Sequence, residues 1–505
     1  PELFAINVRD ASVADDTHKM FVKLRPYESI PADLDEQRKI ITKFMASKPL
    51  DAQVNAITTG QNGIDKIDKR ALLAATDKAI RLSKGSVDED DTESLAFKSI
   101  HGIDDFILEK YKRSLPTLVR YVQQALNKTI KSGKRPEIKF VMPPHVFSSP
   151  IESFFGTSEL SRYSEQNNLV DIAATSDLIT PMGEGGIKSI HAVTDDVRAF
   201  HPTYLGAIDP LETPEGQGIG LTNHLTMGVK KVKNRLAIDV YDAKTRKKES
   251  KLIEDLVNKV VAFPDQYSNL PETPAPSLRA APKPKTTLVK ARTAEGVREV
   301  QPKMVDYIFV DPHSFFSFTS MLVPFLPNNH PNRVLMGDKH MTQAVPLVGG
   351  EAPLVQHRVY GKGFDEVLGS QFLAHSPING KVTKITNEAI FVKPSKGKAE
   401  KIPLYKDYPL NSKLFLTEAP LPDLKICTKV EQGQPLTQNN FTSGKSLALG
   451  KNLKVAYTAW HGYNHEDGIV ISETAAKKLT SEHKYEFRVE KKDNIQIGVR
   501  PFIAA

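Results

Sequence analysis

The sequence predicts an α+β chain of several domains: helical and mixed first, loop-rich in the middle, strand-rich at the end. Three observations carry this. Apolar residues recur at helical spacing as far as residue 133. Glycines, prolines and short polar-aromatic pieces dominate 140–230. From 304 onward, short stretches alternate apolar and polar between Gly, Pro and Asn. The chain has 505 residues, which suggests about two to four domains and a sizeable core. Its formal charge is +8 and its pI near 9.1. That balance is compatible with a nucleic-acid partner without requiring one. A single cysteine, Cys427, excludes an internal disulfide framework and a multi-cysteine zinc site, and suits a reducing cytoplasm. The first residues mix charge throughout, so no signal peptide is read, and no long apolar run suggests a membrane span.

The elements follow in order. "NVRDASVADD" reads as a turn. "DEQRKIITKFMA" has helical spacing, with Ile40, Ile41 and Phe44 on one face. Residues 66–84 form an amphipathic helix, and the acids of "GSVDEDDTES" after it read as a solvated loop or a helix start rather than a metal site. Residues 103–133 give two helical patterns interrupted at Pro116. Their basic end (Lys128, Lys131, Lys134, Arg135) complements the helix dipole or faces phosphate. Residues 231–300 lose density. "DAKTRKKESK" is a charged tip and "SNLPETPAPSLRAAPKPKTT" is Pro-rich, which reads as an exposed insertion or linker. Strands return at "KMVDYIFVD", "APLVQHRVY", "GKVTKITNEAIFVKPS" and "NLKVAYTAW", the third as a hairpin turning at Thr386-Asn387-Glu388.

Four stretches hold the chemistry-bearing residues, and each is weak alone. In 160–187, "GEGG" is a flexible turn, not a phosphate loop, because no Gly-Lys-Ser/Thr closes it. In 196–221, "ETPEGQGIG" has Gly216, Gly218 and Gly220, which permit positive φ. His201 reads there as a cap or a buried, hydrogen-bonded ring rather than a base. In 324–347, Arg333 sits among prolines and asparagines, which suggests a fixed loop and an ordinary surface charge. In 449–473, Glu466-Asp467 is either a structural carboxylate pair or a functional one.

Together the four resemble the β subunit of the multisubunit DNA-dependent RNA polymerases. The bacterial pattern "LSxFxDQNNPL…LGPGG" stands here as "LSRYSEQNNLV…MGEGG". "VRDVHPTHYGR…ETPEGPNIGL" stands as "VRAFHPTYLGA…ETPEGQGIGL". "PFLEHDDANRALMG…QAVP" stands as "PFLPNNHPNRVLMG…QAVP", and "GYNFEDSI" as "GYNHEDGI". The resemblance covers roughly 150–230 and 305–480. It implies a lobe- or protrusion-like region over 1–145, a fork and hybrid-binding wall over 146–230, and a variable insertion or linker over 231–303. A β-rich core over 304–480 would hold the first part of a double-psi β-barrel completed by another chain, with the start of a flap or a tail over 481–505. The flap, nucleotide-facing lysines and clamp of a full β subunit are not seen before Ala505. The expectation is therefore the N-terminal part of a split β subunit, as in the polymerases of very large bacteriophages.

The resemblance also implies roles. The family's metal-binding Asp-x-Asp-Gly-Asp lies on β′ and is absent here. Glu466 and Asp467 would stand across from it and help position the nucleotide-borne Mg²⁺ through water. Mg²⁺ would be held mainly by the partner, with no zinc in this chain. Arg333 would grip the triphosphate, with Asn332 and Arg198 as further contacts near the nucleotide or the downstream end. Gln166, Asn167, Asn168 and Glu215 would line the RNA–DNA hybrid and the fork. Partners would be a C-terminal β-type chain, β′-type chains and a promoter-specificity subunit, with DNA, RNA and nucleoside triphosphates and no membrane. The expected location is the cytoplasm of an infected bacterium, or the virion if packaged. Rifampicin resistance is expected because Arg162, Glu165, Thr175 and Leu178 replace the family's glutamine, aspartate, histidine and arginine. The competing reading is a non-catalytic nucleic-acid-binding or virion-structural protein derived from such a subunit.

Overall fold

The computed structural model describes residues 33–46, 48–133, 135, 138–142, 147–158, 160–161 and 166–485. The "NVRDASVADD" turn, Lys134, Arg162, Glu165 and the tail after 485 lie outside the described residues. The chain divides into two compact units. One comprises residues up to 99 with Ile253–Val257, and the other 100–252 with 258 onward.

The first unit is built on α1 (Leu34–Ala46), α2 (Ala52–Thr59) and α3 (Lys69–Ser83). Asp51 caps α2 by accepting from the Gln53 and Val54 amides, and Asp68 caps α3 through the Ala71 amide at 2.9 Å. Gly60, at φ 72°, ends α2 in the left-handed conformation that a side chain would resist. Ile64, Ala71 and Ala74 form the small core that the amphipathic spacing of 66–84 anticipates.

In the second unit, α4 (Ile103–Lys131) runs straight through Pro116 as one helix of 29 residues. The two helices expected there are one, because a proline removes a single donor and the turns before it are anchored. Phe106 stacks on Phe154 of α5 (Ser148–Thr157). Lys110 and Arg113 both reach Glu184, at 3.1 and 3.2 Å. These ion pairs also tether the "GEGG" turn. No helix among the described residues is long and apolar enough to cross a membrane.

Residues 231–303, expected as an exposed insertion or linker, form regular structure. They supply most of a seven-stranded sheet ordered β3 (Lys230–Val232), β4 (Arg235–Asp242), β9 (Tyr307–Phe309), β6 (Val261–Ala262), β7 (Val289–Thr293), β8 (Gly296–Val300), with β5 (Lys248–Leu252) also on β4. Only β6 and β9 pair in parallel. Tyr241, Ala262, Val289, Ala291 and Ile308 are fully buried at its centre. The Pro-rich stretch is pinned onto this sheet. The Tyr241 hydroxyl both donates to the Ala275 carbonyl (3.0 Å) and accepts from the Ala275 amide (2.9 Å), and Asn269 bonds the backbone of Ala281 and Lys283. Prolines lack donors, so side chains supply the bonds that a ladder would otherwise give. The charged tip is the turn of the β4–β5 hairpin, where the Asp242 carboxylate accepts from the Lys244 and Thr245 amides at 2.7 and 2.8 Å.

Farther along, β10 (Gly380–Ile385), β11 (Ala389–Lys393), β12 (Glu400–Pro403) and β13 (Lys429–Val430) form a sheet in the order β12-β11-β10-β13. Val382, Ile390 and Val392 fill its core. The turn joining β10 and β11 is the one anticipated: Thr386 both donates to the Ala389 carbonyl and accepts from the Ala389 amide. A separate helical core is built from elements before and after the seven-stranded sheet. Val170 of α6 (Leu169–Ser176), Met321 and Leu322 of α7 (Phe318–Leu322), Val334 of α8 (Pro331–Thr342) and Phe364 and Leu368 of α9 (Phe364–Gln371) pack together there.

"NLKVAYTAW", expected as a strand, has no strand conformation. A strand needs a neighbour for its backbone groups, and none of the described residues pairs with it. Residues 453–471 are almost wholly exposed; Tyr457 is 100%, Tyr463 77% and Ile469 84% accessible. The stretch leaves and rejoins the body at two anchors. Glu351 bonds Gly450 and Asn452, and Leu347 and Val348 meet Thr480 and Ser481 beyond α10 (Glu473–Lys478). The structure is thus a mixed α/β chain with several sheets, and the described residues show no closed barrel of which this segment is part.

Candidate functional site

Arg333 lies in the first turn of α8, not in a loop. Pro331 occupies the first helical position, where its missing amide hydrogen has no partner to lose. His330 precedes it as N-cap but makes no side-chain cap bond. The Arg333 side chain is exposed, its nearest polar neighbour Met336 Sδ at 3.8 Å, and no carboxylate pairs with it among the described residues. Asn332 is exposed beside it. A free guanidinium at a helix start is an anion-seeking arrangement, since charge and helix dipole have the same sign.

The far end of α8 is held by Asn168, which is fully buried. Its Oδ1 caps α6 by accepting from Val170 (2.9 Å) and Asp171 (3.0 Å). Its Nδ2 donates to the carbonyls of Met341, Thr342 and Ala344 at 2.8, 3.0 and 2.8 Å. Those are carbonyls that the end of a helix leaves without an intrahelical donor. Asn168 is therefore a bolt between two helices, and its side chain offers nothing to a nucleic acid, contrary to the expectation from the motif. Asn167 turns its amide to Asp171 at 3.1 Å, and the Gln166 carbonyl accepts from Asn411 Nδ2 at 2.9 Å. Gln166 and Asn167 keep partial exposure.

The loop 209–221 packs beside α8. Arg198 Nη1 donates to the carbonyls of Gln217 and Ile219, both at 2.8 Å, so this arginine ties the loop down. Gly220, at φ 71°, lies where a Cβ would be 2.4 Å from the Arg198 carbonyl oxygen, so only glycine fits. Gly216 also takes positive φ, whereas Gly218 does not. Glu215 is exposed at the tip and faces Lys339 of α8 at 3.6 Å. His201 is a cap: its Nδ1 accepts from the Thr203 amide at 3.2 Å.

Beneath the loop lie three buried carboxylates. Asp209 accepts from the amides of Leu211 (2.7 Å) and Ser317 (2.6 Å). Glu212 accepts from the Ser317 hydroxyl at 2.5 Å and from Thr319, with His224 Nδ1 at 3.6 Å. Asp338 of α8 accepts from Ser320 Oγ at 3.0 Å. Burial pushes Glu212 up to about 7, against the pull of the Ser317 and Thr319 hydroxyls. Burial, and then the charge of Glu212, pushes Asp338 up to about 8. The motif reading treats Glu212 as part of a turn and passes over Asp338. The readable signal was spacing: Asp338 stands four residues after Val334, on the buried stripe of the helix.

Glu466 and Asp467 project from a turn that, among the described residues, bonds only to itself. Asn464 accepts from the Trp460 amide at 2.9 Å and donates to the Thr458 carbonyl. His461, Gly462 and Glu466 all have positive φ, at 50°, 77° and 54°. Holding two non-glycine residues there costs energy and displays both carboxylates outward. Glu466 meets only His465, at 3.7 Å, with both side chains more than four-fifths exposed. No hydrogen bond or ion pair links this turn to Arg333 among the described residues. No group of three His, Cys, Asp or Glu able to hold a metal is found among them either.

Residues 162–230 match the family described as RNA polymerase Rpb2, domain 3, and residues 376–498 match RNA polymerase Rpb2, domain 6. The chain is 30% identical to the DNA-directed RNA polymerase subunit beta of Rubrobacter xylanophilus over 407 residues, 80% of this chain and 35% of that one. It is 28% identical to the subunit of Acetivibrio thermocellus over 430 residues, 85% of this chain and 34% of the relative. With that of Anaplasma marginale it shares 28% over 488 residues, 95% of this chain and 34% of the relative. The chain is thus related to the β subunits of DNA-directed RNA polymerases, as a region spanning about a third of the length of the curated relatives it matches.

Proposed function

We propose that this chain forms one wall of the active centre and hybrid channel of a multisubunit DNA-directed RNA polymerase, and that the rest of the β subunit and the β′ carboxylates come from other chains. The observation that carries this is Arg333 at the start of α8, exposed and without a carboxylate partner among the described residues, in a chain related to polymerase β subunits. Arg333, with Asn332 beside it, grips the triphosphate of the incoming nucleotide. A planar guanidinium holds phosphate oxygens at two points and keeps its charge as negative charge grows on the leaving pyrophosphate. Glu466 and Asp467, displayed by the 458–468 turn, orient water around the nucleotide-borne Mg²⁺. When bound, that ion neutralises phosphate charge. Gln166, Asn167 and Glu215 border the hybrid, while Arg198 and Asn168 hold the loop and helix that carry the wall.

The exposed apolar stretch 453–471 supports a place for further polypeptide against this face, since apolar patches of this extent are seldom left to water. A β-type chain completing a barrel there, β′-type chains and a promoter-specificity subunit are the proposed partners. The split arrangement and the setting in phage-infected bacteria, in the host cytoplasm or the virion, belong to the same reading. Thr175, whose hydroxyl is turned onto the Asp171 carbonyl at 2.9 Å, and apolar Leu178 stand where rifampicin's polar contacts are expected. Losing such contacts costs affinity steeply. The assembled enzyme is expected to transcribe at drug concentrations that stop a sensitive bacterial polymerase, and inhibition at those concentrations would remove this part of the reading.

The deciding experiment is a tagged purification from native cells, with mass identification of companion chains and extension of labelled RNA on an RNA–DNA scaffold. Companions carrying the β′ aspartates, with extension by the assembly alone, support the proposal. A chain that purifies alone and extends nothing favours the non-catalytic binding or virion-structural reading.

A further inference from the structure

The buried face of α8 carries an acid where its core position calls for an apolar residue. Asp338 is 2% exposed; Oδ2 takes one hydrogen bond, from Ser320, and Oδ1 has no partner. A carboxylate so placed is costly when ionised. Its surroundings make ionisation worse. The 209–221 loop faces it with Asp209 and Glu212. The start of α7 offers only the hydroxyls of Ser317, Thr319 and Ser320. From β2 (Asn223–His224), His224 turns to Glu212 instead. From α6 come Asn168, already committed to the end of α8, and Asp177, held above the usual carboxylate range by burial. On α8 itself, Lys339 points outward to Glu215. No lysine or arginine is paired with the cluster among the described residues.

We propose that Asp338, in its uncharged form, is a positioning residue that seats α8 on the Ser320 hydroxyl of α7, beside the acids of the 209–221 loop, and that loss of its proton unseats the helix and with it Arg333. Five residues of the same helix separate the two, so a shift of the seat moves the guanidinium. The inference deepens the reading of Arg333 as the triphosphate contact and rests on it only for the kinetic arm below.

The sign follows from linkage. Folding raises the proton affinity of Asp338 and Glu212, so the folded chain keeps protons that the unfolded chain releases. Stability is therefore full only below the ordinary carboxylate range, falls as pH rises from there to about 7 for Glu212 and about 8 for Asp338, and levels off above. If only the protonated seat presents Arg333 correctly, the nucleotide KM of the assembled polymerase rises about tenfold for each pH unit above that point.

The test measures nucleotide KM and kcat of the purified assembly between pH 6.5 and 9, and thermal unfolding of the full chain from about pH 4 to 9, which spans the whole window in which the folded chain holds the extra protons. Asp338→Asn, neutral at every pH, is expected to keep the low-pH KM throughout and to lose most of the drop in melting temperature with rising pH. An Asp338→Asn assembly whose KM and melting temperature follow the wild-type pH curves overturns the proposal. If that variant fails to fold, Glu212→Gln replaces it. Removing the neighbouring charge must move the alkaline limb to lower pH, and an unmoved limb again overturns the seat. Should Arg333→Ala leave KM unchanged, the reading of Arg333 fails, while the melting curves still decide the seat by themselves.

Discussion

Arg333 has no acidic partner among the described residues to leave behind, so its removal reads what it does for the ligand. In the assembled enzyme Arg333→Ala is expected to raise nucleotide KM and lower turnover, costing at least ~2 kcal/mol in kcat/KM, the scale of a charged hydrogen bond left unmade. Steady-state kinetics on a scaffold checks this, and normal values would sink the assignment. The residue type was legible in the sequence, and its setting was not. Prolines and asparagines around it suggested a loop, yet Pro331 begins a helix. Arg198 and Asn168 were legible as important, but not the backbone carbonyls they meet, because a donor looks the same in sequence whether it meets a phosphate or a carbonyl. Only burial and the carbonyls at 2.8 Å separate the cases.

At the scale of elements, α6 and α8 are joined end to end through one side chain. Asn168→Ala removes the α6 cap and the amide that donates to three carbonyls at and just past the end of α8. We expect a loss of about 3 kcal/mol, a cap plus buried acceptors left unpaired. Urea unfolding of the full chain measures it; a change within experimental error would mean that the junction is held by apolar packing alone. Local pattern was enough for α1, α3 and the 380–393 hairpin, where periodicity, caps and turn chemistry agree. It was not enough for the seven-stranded sheet. Strands as short as β6 carry too few residues to show a period, and their partners lie far along the chain, as Ala262 with Ile308 does. It also missed the continuity of α4 through Pro116, which depends on anchors at Phe154 and Glu184.

For the whole molecule, 453–471 is the least self-sufficient part of the described chain. Its amides lack a ladder, so in the isolated chain they should exchange with solvent within seconds, and in the assembled polymerase they should become protected. Hydrogen exchange resolved by mass spectrometry reads this directly. Equal exchange in both states would mean that the stretch is not an interface, and the case for a covering chain would go with it.

The sequence by itself determined the class of chain, the helices with caps and full periods, and the four motifs that mark relatedness to polymerase β subunits, because these are properties of adjacent residues. The tertiary structure alone decided which motif residues face outward and which are spent inside. It left Arg333 and Glu466 open, buried Asn168, and gathered Asp209, Glu212 and Asp338 from separate segments. Burial and charge proximity belong to residues far apart in the chain, and no reading of neighbours along it contains them.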